Sequence, residues 1–247
     1  MIFEHSWHNQ IITILRSVRS EFLSSCQTYF GGGTLLALDY GEYRLSRDID
    51  FLCPNGRDYS RLRTAIYEQG YDAIFAEVTA FALIQEPRTD QYGVRFPILI
   101  NGQTIKFEII SEGRISFDSP SFPEWSPVAC LSVSDRIAEK LLANSDRWAD
   151  ASTDAKDLID LATLKTLTPF PGTAIEKAEA VYPVIAPLQR AIQNFQNKPD
   201  YRDRCYERLS IKHPPQVING LDRLALEFNL DTTKRTFKEL VNEWKDS

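Results

Sequence analysis

A surplus of basic residues is the first thing missing. The 247-residue chain sets 28 Lys and Arg against 34 Asp and Glu, a formal net charge of −6, whereas a broad nucleic-acid binder often carries an excess of cations. That balance argues against non-specific nucleic-acid binding and leaves a local basic patch open. Long apolar runs are missing too: nothing approaches the roughly 18 uninterrupted residues that a membrane helix needs. The start, Met1-Ile2-Phe3-Glu4-His5, has neither a basic opening nor an apolar stretch, so no signal peptide is expected and the cytoplasm is the expected location. Cysteine is scarce, and Cys26, Cys53, Cys130 and Cys205 lie far apart. Zinc ligands cluster at short spacings, so these four read as reduced core residues. Of the three histidines, His5 and His8 stand about one turn apart on a first helix. With no acid or cysteine beside them in sequence, they read as solvent-facing rather than metal-binding. His213, before Pro214-Pro215, has no supporting context. There is no internal repeat and no low-complexity tract.

What is present is an ordinary apolar content, 43% hydrophobic with 11% aromatic, enough for one large core or two modest ones. Ile11, Ile12, Leu15, Val18 and Phe22 recur at helical spacing within residues 4–25. After a glycine run, Thr34 is placed to cap a short helix over 35–40, which Gly41 ends. Residues 48–53 read as a strand closed by Pro54-Asn55-Gly56, and 57–69 as a helix stopped by Gly70. Runs rich in β-branched and aromatic residues at 81–84, 94–100 and 104–110 predict strands, and Asn101-Gly102 predicts a hairpin turn. The first half is therefore α/β (α+β) with a mixed sheet. The proline-bearing stretch 119–127 is the best linker, dividing residues 1–125 from a mainly helical 126–247. There, one helix is predicted from Ser132 or Ser134 to about Trp148. A second, capped by Thr153 or Asp154, carries Leu158, Leu161, Ala162 and Leu164. Three further helical segments follow, one broken near Pro183 and Pro187, and the last helix surrounds Phe237, Leu240, Val241 and Trp244.

Chemistry concentrates at "YFGGGTLLALDYGEYRLSRDIDF", residues 29–51. Alternation along a strand puts Asp48 and Asp50 on one face, roughly 6.6 Å apart, with Ile49 and Phe51 on the other. Two carboxylates that close repel unless a cation sits between them, and magnesium, which takes oxygen ligands and shares its shell with phosphates, is the natural candidate. Gly31-Gly32-Gly33 lets backbone approach a ligand closely, and Thr34 follows at a helix start, where free N–H groups attract anions. A third acid, Glu108, shares a strand face with Lys106, while Phe107 and Ile109 point to the core. Taken singly, Asp-x-Asp also suits an exposed strand face, and a glycine run also suits a tight turn.

In combination these stretches resemble the nucleotidyltransferase superfamily with the DNA polymerase β-like fold, and more closely the AbiEii-type nucleotidyltransferase toxins. The opening motif resembles "GGTLLAL…YRLSRDIDF", including Arg44 and Ser46. The second resembles Lys106-Phe107-Glu108, and the third resembles Ser132, Asp135 and Lys140. The fourth resembles "DAKDLIDL", with Lys156, Asp157 and Asp160. Glu108 stands where Asp is commoner, and Asp135 where Glu is expected.

The resemblance implies a polymerase β-like nucleotidyltransferase domain over 1–125, followed by a helical domain that contributes Lys and Asp to the active site. Asp48, Asp50 and Glu108 would hold Mg2+ or Mn2+. Gly32, Gly33 and Thr34 would hold phosphates, Lys140 would supply positive charge to the triphosphate, and Asp157 or Asp160 would orient or deprotonate the acceptor hydroxyl. Arg44 clamps a phosphate or structures its loop. The implied partners are a nucleoside triphosphate, the 3′ end of transfer RNA and a cognate antitoxin, with no membrane. Two other readings are transfer to a small molecule or protein, and a nucleotide-binding interaction protein without transfer. Alone, Lys140 reads as a solvated helical stem and Lys156 as a surface partner of Asp160 at i, i+4. Lys198, Arg202, Arg204, Arg208 and Lys212, interleaved with acids, read as a solvated amphipathic helix rather than an RNA surface.

Overall fold

The computed structural model describes residues 2–246, with side chains up to Val241. Met1 and the apolar position read at Trp244 lie outside the described residues and side chains. The chain divides into two compact units, Met1–Glu42 with Ser46–Val133, and Tyr43–Leu45 with Ser134–Ser247.

The first unit contains α1 (Ser6–Ser17), α2 (Ser20–Ser25), β1 (Tyr29–Gly31), α3 (Gly32–Asp39), β2 (Ile49–Pro54), α4 (Arg57–Gln69), β3 (Ala82–Leu83), β4 (Arg88–Thr89), β5 (Gly93–Ile100) and β6 (Gln103–Glu112). The helix expected across 4–25 is broken at Val18, which bridges to Phe75, and the Arg19 amide donates to the Ile74 carbonyl. Tertiary pairing there overrides helical spacing. Among the described residues the strands form one mixed sheet in the order β1-β2-β6-β5-β3, with β4 also on β5. β2 and β6 run parallel, and the other pairs run antiparallel. The β5–β6 turn puts Asn101 (φ 48°) and Gly102 (φ 77°) in the left-handed region, the type I′ geometry that Asn-Gly favours.

One sheet face is the core. Phe30, Phe51, Phe96 and Phe107 are buried, with Phe51 and Phe96 stacked on Phe107 at 5.5 and 4.8 Å between ring centres. Such pairs add about 0.5–1.5 kcal/mol each beyond their burial. All four cysteines are free and buried. The 119–127 stretch does not close this unit, because Ala129 and Leu131 exchange backbone bonds with Phe30, and Ser121 pairs with Cys130.

The second unit comprises α5 (Val133–Arg147), α6 (Lys156–Leu167), α7 (Gly172–Glu179), α8 (Ile185–Gln196), α9 (Pro199–Arg208), α10 (Pro214–Glu227) and α11 (Phe237–Asp246); Val133 itself falls with the first unit. Pro187 lies in the first turn of α8, where a missing N–H costs nothing, so it breaks no helix. The cap expected from Thr153 or Asp154 is replaced by Ala155, left-handed at φ 49°, with no side-chain bond. The basic span of α9 also differs from its expectation. Arg202 is fully buried, bonded through Nε and Nη2 to the Glu239 carboxylate and through Nη1 to the Phe195 and Gln196 carbonyls. It ties α9 to α11 instead of facing water.

Candidate active site

Strand register assembles the sheet side of the site. Gly31 lies opposite Asp50, Asp50 opposite Glu108, Glu108 opposite Arg95, and Arg95 opposite Arg88. Register partners present their side chains on the same face. Asp50, Glu108, Arg95 and Arg88 therefore form one transverse row on the face away from the phenylalanines. Lys106 precedes Glu108 by two residues and shares that face. Asp48 sits one residue ahead of β2, half-exposed like Asp50. The Glu108 carboxylate is held by Arg95 Nε at 3.1 Å and Lys106 Nζ at 2.6 Å, and the other arm of Arg95 reaches Asp90 at 3.2 Å.

The glycines meet this row at Asp50. Gly32 has φ +68°, and a Cβ there would overlap Asp50 Oδ2, so no other residue packs there without displacing the carboxylate. α3 begins at Gly32, three residues earlier than expected. Gly32 and Gly33 therefore form its first turn, whose N–H groups have no intrahelical acceptor. Thr34 is not the cap. It is buried inside the helix, its hydroxyl donating to the Asp48 carbonyl at 2.5 Å and lying 2.8 Å from the Ser46 hydroxyl. It pins the 46–48 segment rather than opening toward a ligand.

Ser46 is held from a second side. His8 is fully buried, which corrects the solvent-facing reading. The Ser46 amide donates to His8 Nε2 at 3.2 Å, and His8 Nδ1 lies 2.6 Å from Glu42 Oε1, so Nδ1 carries the proton. Sequence reasoning missed Glu42 because the pair is 34 residues apart. Burial pushes the His8 pKa down, and the opposing pull of Glu42 does not restore it.

In the helical unit, Asp160 is fully buried. It accepts from Arg44 Nε and Nη2 at 2.6 and 2.9 Å, from the Tyr43 hydroxyl at 2.6 Å, and pairs with Lys140 Nζ at 2.6 Å. Arg44 Nη1 donates to its neighbour's carbonyl, Leu45 O. Lys140 also reaches Asp157 at 3.0 Å, and Asp157 takes Arg147 Nε at 2.6 Å. Lys140 is thus no solvated stem, and the partners of Asp160 are Arg44, Lys140 and Tyr43, not Lys156. Burial alone would raise the Asp160 and Asp157 pKa values. The cations outweigh it, Arg44 and Lys140 at Asp160 and Lys140 and Arg147 at Asp157, and hold both low. Burial would likewise strip Lys140 of its proton, but Asp160 and Asp157 keep it charged. Asp135, in the third motif, pairs with Lys177 at 2.6 Å.

The family model for "Nucleotidyl transferase AbiEii toxin, Type IV TA system" matches residues 13–214. This chain belongs to the AbiEii nucleotidyl transferase toxin family. It is a nucleotidyltransferase of a type IV toxin–antitoxin system. Two solved structures share its fold. One, from Helicobacter pylori, is described as a candidate nucleotidyltransferase, with TM-score 0.52 and 18% identity over 92% of this chain and 98% of that one. The other is JHP933 from Helicobacter pylori, with TM-score 0.52 and 18% identity over 99% and 97%. No curated protein matches the chain. Among the described residues of this AbiEii protein, no helix is long and apolar enough to cross a membrane.

Among the same residues, no group of three His, Cys, Asp or Glu side chains is gathered closely enough to hold a metal ion. Asp50 and Glu108 are neighbours, but Glu108 is engaged by Arg95 and Lys106. The donor set nonetheless suits a hard divalent cation: it is all carboxylate, and the Cβ missing at Gly32 leaves the Asp50 carboxylate its space.

Proposed function

We propose that this AbiEii protein transfers a nucleoside monophosphate from a nucleoside triphosphate to an acceptor hydroxyl at the 3′ end of transfer RNA, with Mg2+ or Mn2+ as cofactor. The observation that supports this best is the alignment of Gly31, Asp50 and Glu108 across three strands, with Gly32 packed on the Asp50 carboxylate. The acceptor oxygen attacks the α-phosphorus, the bond from that phosphorus to the bridging oxygen breaks, and pyrophosphate leaves. Asp48 and Asp50, with Glu108, would hold the cation, whose chemistry is to neutralise charge on the attacking and leaving oxygens.

This chain's own groups position the substrates. The first-turn amides of Gly32 and Gly33 present donors to the β- and γ-phosphates, and Lys106 adds a cation on the same face as Glu108. Thr34 and Ser46 act indirectly, fixing the backbone that carries Asp48. Lys140 is kept charged by Asp160 and Asp157. Asp157 and Asp160, whose pKa values neighbouring cations hold down against burial, are weak bases and are assigned the orientation of Lys140 rather than proton removal. Arg44, saturated by Asp160, holds its loop. The toxin's control is assigned to a cognate antitoxin, and its site of action to the cytoplasm.

The test incubates purified protein with magnesium, each α-labelled triphosphate and total RNA. Label entering transfer RNA is the expected result. Label entering only protein or small products supports a different acceptor. Nucleotide binding without pyrophosphate release removes the transfer reading.

A further inference from the structure

Beyond Glu108 the transverse row continues with Arg95 and Arg88, neither of which the catalytic reading places against a substrate. Arg95 on β5 and Arg88 on β4 extend it to the sheet edge, and Lys106 stands beside it. At the usual strand spacing of about 4.8 Å, the row from Asp50 to Arg88 spans about 14 Å. Arg88 is exposed, and its side chain has no hydrogen-bond or ion-pair partner among the described residues. Lys106 is 55% exposed and Arg95 34%. The nearby acid Asp90 accepts the Tyr92 and Gly93 amides through Oδ1, and its ion pair through Oδ2 is with Arg95. Arg95 and Lys106 are ion-paired with Glu108, and Arg95 with Asp90 as well, so Arg88 is the one of the three cations whose side chain has no such partner among the described residues.

We propose that Arg88, Arg95 and Lys106 form a track for a phosphodiester strand, holding the nucleic-acid acceptor on the Glu108 side of the site. The inference rests on the proposed transfer to RNA. It adds that the acceptor is gripped through its backbone by this face of the first unit. Arg95 and Arg88 stand one strand-spacing apart across the sheet, and Lys106 stands two residues from Glu108 along β6, a spread along a surface that suits a polyanionic chain better than a single phosphate. The flatness of a sheet face suits contact along a chain rather than enclosure of a small molecule. Backbone contacts of this kind carry no sequence information, so the track supplies affinity and register while the acceptor's own end supplies the reacting hydroxyl.

The experiment measures binding of a fluorescent single-stranded oligoribonucleotide to the full-length protein, without triphosphate, over a range of salt. Arg88→Ala and Lys106→Ala are each expected to weaken binding several-fold and to lower the log–log salt slope by about 0.7 per cation removed. Arg88→Glu, at the exposed position, is expected to weaken it further. Arg16→Ala, an exposed arginine on α1, removes the same charge elsewhere and is expected to leave affinity and slope unchanged. In the transfer reaction, Arg88→Ala is expected to raise KM for RNA and leave KM for the triphosphate unchanged. Unaltered binding in both alanine variants, or equal weakening by Arg16→Ala, overturns the track. Tighter binding of a poly-glutamate peptide than of the oligonucleotide also overturns it. If no label enters RNA but these variants still lose oligonucleotide binding, the track stands and the transfer reading falls.

Discussion

On the sheet face of the first unit, Asp48, Asp50 and Glu108 stay partly open to solvent, whereas in the helical unit Asp160, Lys140 and Arg44 are 0%, 7% and 3% exposed. Among the open acids, Glu108 has partly exposed ionic partners, Arg95 and Lys106, for which a ligand can compete. The closed cluster matches each buried charge with an opposite one, since an unpaired buried charge is strongly destabilising. Two groups of the same chemical type, carboxylate beside cation, thus differ in setting: exposure leaves one open to exchange, and burial makes the other part of the frame.

The comparison is broken or sharpened first at Asp50. Asp50→Ala is expected to reduce nucleotide transfer by at least about 10³-fold, the loss of several kcal/mol of charge stabilisation, while chemical denaturation shows the parent's stability. Asp160→Ala is expected to do the converse, costing about 3–5 kcal/mol in the same denaturation measurement, because Arg44 loses its carboxylate in a buried site. An Asp160→Ala protein as stable as its parent would erase the contrast. Gly32→Ala lies between the two. Its left-handed backbone costs about 1–2 kcal/mol, and its Cβ displaces the Asp50 carboxylate, so both stability and transfer should fall. Toxicity on expression, scored as colony survival, should disappear in Asp50→Ala and diminish in Gly32→Ala.

The smallest effect is a pH dependence from His8. Its folded pKa lies below the ordinary 6.5, chiefly through burial, so the unfolded chain takes up its proton first. The stability it contributes is present above pH 6.5 and declines as pH falls below that value, by at most about 1.4 kcal/mol per pH unit. Tm measured between pH 5 and 8 should show this slope, and His8→Gln should flatten it.

The two acids on alternate strand positions were legible in the primary sequence, because a period of two fixes the face of Asp50 relative to Ile49 and Phe51. So was the β5–β6 hairpin, and once Asn101-Gly102 is taken as its turn, the pairing of Arg95 with Glu108 follows by register. Arg88 was not legible: β4 is two residues long, and nothing local marks it as a strand. Nor was His8, whose partner Glu42 lies beyond any helical or strand period. The expected helix over 35–40 capped by Thr34 misses the start at Gly32, because a hydroxyl ahead of an apolar run has the pattern of a cap, while this hydroxyl donates to the Asp48 carbonyl.

Local spacing alone determined the alternation of the strands, the shared face of Lys106 and Glu108 and the turn between β5 and β6, while the run of motifs carried the family resemblance that the family model shows. Tertiary structure decided which charges are spent. Asp160 and Arg44, 116 residues apart, become a buried pair only when folding removes water from both, and that desolvation, which no sequence period encodes, separates frame from site.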